Sequence, residues 1–186
     1  VLALSSKQTA TPLFYISIYN SFRSKPDIIL HNGATKAFPS LASVQFKGFS
    51  STPHITLGST RYGAAPTEAL KSEGFFHVVH YFSLYLEDYG RRERFEWKSS
   101  GGAEVRALGH STGMKLVRVK TGEVVAAYAD VSCAWTKKGK ICFLGTDLGD
   151  EWRVMVVMSL VALLEARRRS RSSNAGSSSA VFAACS

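Results

Sequence analysis

Gly109-His110-Ser111-Thr112-Gly113 has the G-x-S-x-G spacing that, in one class of hydrolase, lifts a serine onto a sharp strand-to-helix turn. That chemistry needs a helix after the serine, then an acid and a histidine further along the chain. Strand-like Met114-Lys115-Leu116-Val117 follows instead, and His110 is the last of five histidines, so no downstream base exists. The pentapeptide therefore reads as a Gly/Ser β-turn. His31, His54, His77, His80 and His110 show no H-x-H or H-x-x-x-H spacing. His77 and His80 are three apart, which places them on opposite faces of a strand and argues against a shared metal. Gly145-Thr146-Asp147-Leu148-Gly149 precedes a helix, where a glycine loop can hold phosphate, but it lacks the Lys-Ser/Thr of a P-loop. Asp147, Asp150 and Glu151 would also repel an anion there. The residues thus predict no catalytic set, no metal site and no cofactor.

The remaining chemistry is that of charge. The 186 residues carry a net charge of +9, and Arg167, Arg168, Arg169 and Arg171 supply four of these, leaving +5 on the preceding body. A basic body attracts anions in general: phospholipid headgroups, nucleic acid or acidic proteins. Arg92, Arg94 and Lys98 share one strand face, interrupted by Glu96. That face is a candidate for headgroup binding, extended by Lys115 and Arg118 if their strands pair; otherwise it is a solvated face with cross-strand ion pairs. The Arg167–Arg171 segment, followed by Ser172-Ser173, reads either as a polybasic membrane clip or nuclear import signal or as the soluble end of a helix. Nucleic-acid binding is disfavoured because aromatic residues do not interleave with the basic positions as stacking platforms.

These side chains need elements to hold them. Strand signals recur between Gly, Pro, Ser and Asn punctuation over Leu13–Tyr19, Asp27–His31, Leu41–Lys47, His54–Leu57, Phe75–Leu86, Arg91–Lys98, Glu104–Leu108, Met114–Lys120, Glu123–Ala129 and Lys140–Leu144. Gly58 to Glu73 reads as a loop. Thr121-Gly122 and Lys138-Gly139 have the composition of hairpin turns, and Asp147 or Asp150 can cap the helix that follows. That helix holds Val154–Leu164, a run apolar on every side between Asp150-Glu151 and Arg167-Arg168-Arg169. At about 11 residues it is too short to cross a bilayer, which takes roughly 20, and it must be surrounded by protein.

Cys133, Cys142 and Cys185 form an odd set without metal-like spacing, and no Asn-x-Ser/Thr sequon occurs. Both facts favour a reducing, intracellular setting. Cys133 and Cys142 stand among apolar neighbours and read as core residues. Val1–Ser6 shows neither a basic n-region nor a long apolar stretch, so no secretory signal is expected within it. The expected organisation is a flexible segment over 1–11, one β domain over 12–169 and a disordered Ser/Ala-rich tail over 170–186.

Four segments in order carry a resemblance. They are Lys25-Pro26-Asp27-Ile28-Ile29-Leu30-His31-Asn32-Gly33, Gly90-Arg91-Arg92-Glu93-Arg94-Phe95-Glu96-Trp97, Lys115-Leu116-Val117-Arg118-Val119, and Phe143-Leu144-Gly145 through Leu164. Together they resemble fungal tubby C-terminal-like domain proteins over about residues 12 to 169. The resemblance implies a closed β-barrel of about twelve strands around a central hydrophobic helix, a fold similar to that of LURP-one-related proteins and phospholipid scramblases. Tubby proteins bind phosphoinositides through basic surface residues. By that resemblance the chain is expected to be a non-enzymatic barrel that binds anionic phospholipid at the cytoplasmic membrane surface. The alternative is a protein-interaction or scaffold module with a basic targeting tail, located in the cytoplasm, at the membrane periphery or in the nucleus.

Overall fold

Alternating apolar and polar residues between turn signals should give strands with one buried face, and most of the chain does so. The computed structural model describes residues 2–4, 10–19, 26–47, 52–58, 66–75, 78–130, 139–145 and 147–181, with side chains described from 12 to 172 within them. Cys133, Cys185, His77 and the Lys138 position of the expected hairpin lie outside the described residues. The chain divides into two compact units, Val1–Thr67 with Val154–Ser186, and Glu68–Arg153.

In the first unit, β1 (Leu2–Leu4) and β2 (Ala10–Pro12) pair as an antiparallel hairpin. A second sheet begins with β3 (Tyr15–Ile18), β4 (Ile28–His31), β5 (Ser40–Phe46) and β6 (Pro53–Leu57), neighbours in chain order, and ends on β7 (Thr67–Ala69). Ile28, Leu30, Ala42, Val44, Ile55 and Leu57 alternate onto its buried face. His31 is buried with them and hydrogen-bonded on both ring nitrogens, to Ser17 Oγ at 3.1 Å and to the Phe38 carbonyl at 3.0 Å.

The second unit holds an antiparallel sheet of order β13-β12-β11-β10-β9-β8. Its strands are β8 (Lys71–Glu73), β9 (Val79–Leu86), β10 (Arg91–Ser100), β11 (Gly113–Arg118), β12 (Val124–Asp130) and β13 (Gly139–Phe143). Phe82, Leu84, Phe95, Trp97, Met114 and Leu116 fill its buried face. The expected Thr121-Gly122 turn closes β11 to β12, with Gly122 at φ +72° and its N–H donated to the Arg118 carbonyl. Gly113 faces the Tyr128 carbonyl so closely that a Cβ would collide with it.

Two stretches differ from the sequence reading. The segment read as a loop over Gly58 to Glu73 contributes β7 and β8, whose polar side chains carry no alternation of hydrophobicity and whose pairing comes from neighbouring strands. The segment read as a strand over Glu104–Leu108 is a short helix, α1 (Ala103–Arg106). Gly101-Gly102 ends β10, and the Ser100 hydroxyl both accepts from Gly102 N–H and donates to Glu104, which turns the chain into a helical start.

The C-terminal helix α2 (Asp150–Val181) carries the apolar run. Met155 through Leu160 are all buried, as are Ala162, Leu163 and Glu165, so the helix is covered on every side as its composition requires. Ser159 is buried and satisfies its hydroxyl on the Val156 carbonyl. The helix continues to Val181 through the segment expected as a disordered tail from Ser170. Extension of a nucleated helix needs only one backbone bond per added residue, and Pro is absent from this stretch. Among the described residues no helix is long and apolar enough to cross a membrane.

Candidate functional site

The register of β10 against β11 decides which basic residues share a surface. Lys98 stands directly opposite Lys115, and Arg92, Arg94 and Lys98 alternate on the same side of β10. These four form the face that the sequence predicts. Arg118 does not join them, because it is opposite Phe95 and points to the buried side. Lys115 and Arg118 are three residues apart on one strand, an odd spacing that separates their faces.

The four cations on the outer face are matched by four carboxylates. Arg92 pairs with Glu68 and also donates to the Ser83 carbonyl at 3.2 Å. Arg94 reaches Glu73 at 2.7 Å and Glu96 at 2.8 Å, and its guanidinium lies 3.7 Å from the centre of the Tyr81 ring. Lys98 completes the second oxygen of Glu96 at 2.8 Å, and Lys115 stands 3.8 Å from Glu104. Glu73 above all raises the pKa of Arg94 against the opposing effect of burial. Burial acts to raise the Glu96 carboxyl, but Lys98 and Arg94 overcome it and hold the group below its ordinary value. Glu104 is lowered chiefly by the Ser100 hydroxyl, with Lys115 adding to it. Ion pairs within β10 and to neighbouring elements thus occupy these four cations, while Lys71 and Lys140, which the register places on the same face, make no ion pair among the described residues.

Arg118 serves a different purpose. Its side chain is 5% exposed and pairs with Glu93, which is 1% exposed. Arg91 holds the other oxygen of Glu93 at 2.6 Å, and Arg118 lies over the Tyr89 ring at 4.6 Å. This is a buried ionic cluster inside the second unit, which binds Arg118 too fully for a headgroup to reach it.

The basic segment of α2 is also only partly free. Glu165 is buried and receives Arg168 at 2.7 Å and Arg169 at 2.8 Å. Those two arginines, Arg168 first, hold its carboxyl below the ordinary value against the effect of burial. Arg169 continues to Asp27 at 3.0 Å and stacks over Phe46 at 4.3 Å. Asp27 is itself buried and accepts the Phe46 N–H at 2.8 Å through its second oxygen. One carboxylate thereby ties β5 to the middle of α2. Arg167 and Arg171 remain exposed. Asp27→Ala leaves Arg169 half-buried without that partner and the Phe46 N–H unmet, so it should cost about 2 kcal/mol. Urea denaturation of the variant would measure it, and an unchanged midpoint would show that the tie carries no stability.

The remaining motif residues are placed as follows. Ser111 is exposed on a bend and Gly113 opens β11 rather than a helix. His80 bonds Ser72 Oγ at 2.8 Å. Cys142, expected in the core from its apolar neighbours, is only half-buried, because it alternates onto the outer side of β13, and its sulfur lies 3.5 Å from the Phe143 carbonyl. In the loop before α2, Asp147 accepts the Gly149 N–H at 3.1 Å and pairs with Arg153, which also holds Asp150 at 3.0 Å. Among the described residues no group of three or more His, Cys, Asp or Glu is placed to hold a metal. Sequence reasoning missed Glu68, Glu73, Glu104, Asp27, Glu93 and Glu165 as the carboxylates that meet the basic candidates. Glu93 carried a signal, since it alternates with inward-facing Phe95 and Trp97, and so did Glu165, three and four residues before Arg168 and Arg169 on a helix. No known protein family, curated protein or solved structure matches the chain.

Proposed function

We propose that the chain is a non-enzymatic interaction module that engages a protein partner inside the cell, built on a tubby-like barrel. In that barrel about twelve strands close around the hydrophobic part of α2. The fold part of this reading is supported by the antiparallel strands that precede a helix buried from Met155 to Leu160.

The observation that carries the functional part is the one-to-one matching of Arg92, Arg94, Lys98 and Lys115 with carboxylates. Attraction to an anionic membrane needs an excess of cations, each worth about 1 kcal/mol near the surface. Four of the cations on this face are already paired, which cuts that excess, whereas a pattern of alternating charge can select a protein surface of complementary pattern. A second reading, reversible binding of phosphoinositide or other anionic headgroups at the cytoplasmic membrane surface, is supported by the net charge of +9 and by exposed Arg167 and Arg171.

Co-sedimentation with vesicles at about 0.15 M salt, where the screening length is about 8 Å, separates the two. The interaction reading expects no gain from added phosphoinositide and no difference between the wild-type chain and the Arg92→Glu/Arg94→Glu variant. Phosphoinositide-dependent binding lost in that variant would establish the headgroup reading instead. Cross-linking in cells followed by mass spectrometry should give recurrent cross-links to one partner, and no partner above background would overturn the proposal.

A further inference from the structure

Among the residues of α2 whose side chains are described, Glu165 is the last that is buried. The helix then runs on to Val181 through Ser170–Val181, which holds six serines, an asparagine and a glycine. These residues favour helix less than alanine does, and a helical stretch of this length is marginal in water without packing. Opening this end of α2 back to the arginines therefore costs little.

The arginines are arranged differently in the two states. In the helix, Glu165, Arg168, Arg169 and Ser172 fall at i, i+3, i+4 and i+7 and form one stripe. Glu165 receives both arginines, and Arg169 continues to buried Asp27 and over the Phe46 ring. Ser172 is exposed at the open end of the stripe. In an extended chain side chains alternate, so Arg167, Arg169 and Arg171 line one side, leading up to Ser172. Arginines spaced in this way before a hydroxyl are a charge pattern that the acidic substrate groove of a protein kinase selects. Ser170 is the poorer acceptor, because Glu165 stands five residues before it, where Ser172 has Arg167.

We propose that Ser172 is the phosphorylation site of an arginine-directed protein kinase, and that its phosphate releases Arg169 from Asp27. The Ser172 Oγ attacks the terminal phosphorus of a nucleoside triphosphate held by the kinase. The bond to the departing nucleoside diphosphate breaks, and the hydroxyl proton passes to the kinase's base. In the folded chain Asp27 and Glu165 are balanced by Arg168 and Arg169. A phosphate adds about −1.5 to −2 charge on the same stripe, three and four residues beyond those arginines, and competes for both. The kinase must draw Arg169 away from Asp27 to bind it, and the phosphate then keeps it away.

Protein kinase B with ATP and Mg²⁺ is the probe, acting on the full chain, and mass spectrometry locates the phosphate. Ser172 should be modified, and Ser172→Ala should lose most of the incorporation. Asp27→Ala should be modified roughly tenfold faster than wild type, since local opening no longer breaks that pair. Ile55→Val, which weakens the core elsewhere, should not be faster. Phosphorylation should lower the urea midpoint of the wild-type chain and lower that of Asp27→Ala by less. No incorporation, or incorporation that persists in Ser172→Ala, would overturn the site. Equal rates in wild type and Asp27→Ala, equal acceleration by Ile55→Val, or a midpoint that falls equally in both chains or not at all would overturn the release of Arg169.

Discussion

Leu160→Asp should abolish cooperative folding. Leu160 and Val157 are each 5% exposed, within a helical stretch where every residue from Met155 to Leu160 is buried. A carboxylate there is taken out of solvent, so it must either ionise at a cost of several kcal/mol or fold protonated in an apolar stretch. Lost apolar burial and packing add about 2 to 4 kcal/mol, as for large-to-small core changes. Against a typical domain stability of about 5 to 15 kcal/mol, the sum leaves little or no native population. Val157→Asp should behave alike, whereas Leu160→Met should cost under about 1.5 kcal/mol because volume and polarity are kept. Circular dichroism and thermal melts distinguish these outcomes. A soluble Leu160→Asp chain that melts cooperatively would show that this part of α2 is not enclosed.

The same stretch shows what the sequence alone can reveal. An apolar run without a polar stripe has only one stable setting in water, so burial on all sides was legible from composition. Strands with strict alternation were legible too: the inward set of Glu93, Phe95 and Trp97 follows from a period of two. The weak strands β7 and β8 were not, because Thr67-Glu68-Ala69 and Lys71-Ser72-Glu73 have no hydrophobic alternation and gain strand geometry from their neighbours. Helix α1 was misread for a related reason, since its start depends on hydrogen bonds made by Ser100 rather than on periodicity.

The basic face was legible as a face and illegible as a charge. Period two placed Arg92, Arg94 and Lys98 together, and the pairing of β10 with β11 added Lys115. The carboxylates that meet Arg92 and Arg94 come from 24 and 21 residues away, on strands with no recognisable pattern. Net charge therefore overstated what that surface offers an anion. In the middle of α2 the same thing recurs, where Asp27, distant by 142 residues, removes Arg169 from any targeting role that needs it free.

Glu93→Gln should destabilise the chain by about 3 kcal/mol, the lower end of what breaking a buried ion pair costs. Arg118 would keep its charge in a site where it is 5% exposed, with only the Tyr89 ring and a neutral amide to meet it. Removing both charges tests whether the pair itself stabilises. Glu93→Met/Arg118→Met should recover most of the loss, because two apolar side chains need no solvent replaced and fill similar space. With the single variants Glu93→Met and Arg118→Met, the double-mutant cycle then gives a large coupling energy of opposite sense to the single losses. Acid supplies a second readout. The hydrogen bond from Arg118 outweighs burial, which alone would raise the Glu93 carboxyl, and with help from Arg91 lowers it from 4.5 to about 2. A group depressed in the folded state adds stability that is complete above its unfolded value and is lost as pH falls from about 4.5 toward 2. Glu96, Glu104 and Glu165 are lowered as well, so the wild-type chain should weaken steadily over that window. The Glu93→Gln chain should lose less between pH 7 and pH 3, since one of its acid-labile groups is gone. Urea midpoints at the two pH values measure the difference. Equal losses in both chains would mean that Glu93 is not held ionised by Arg118.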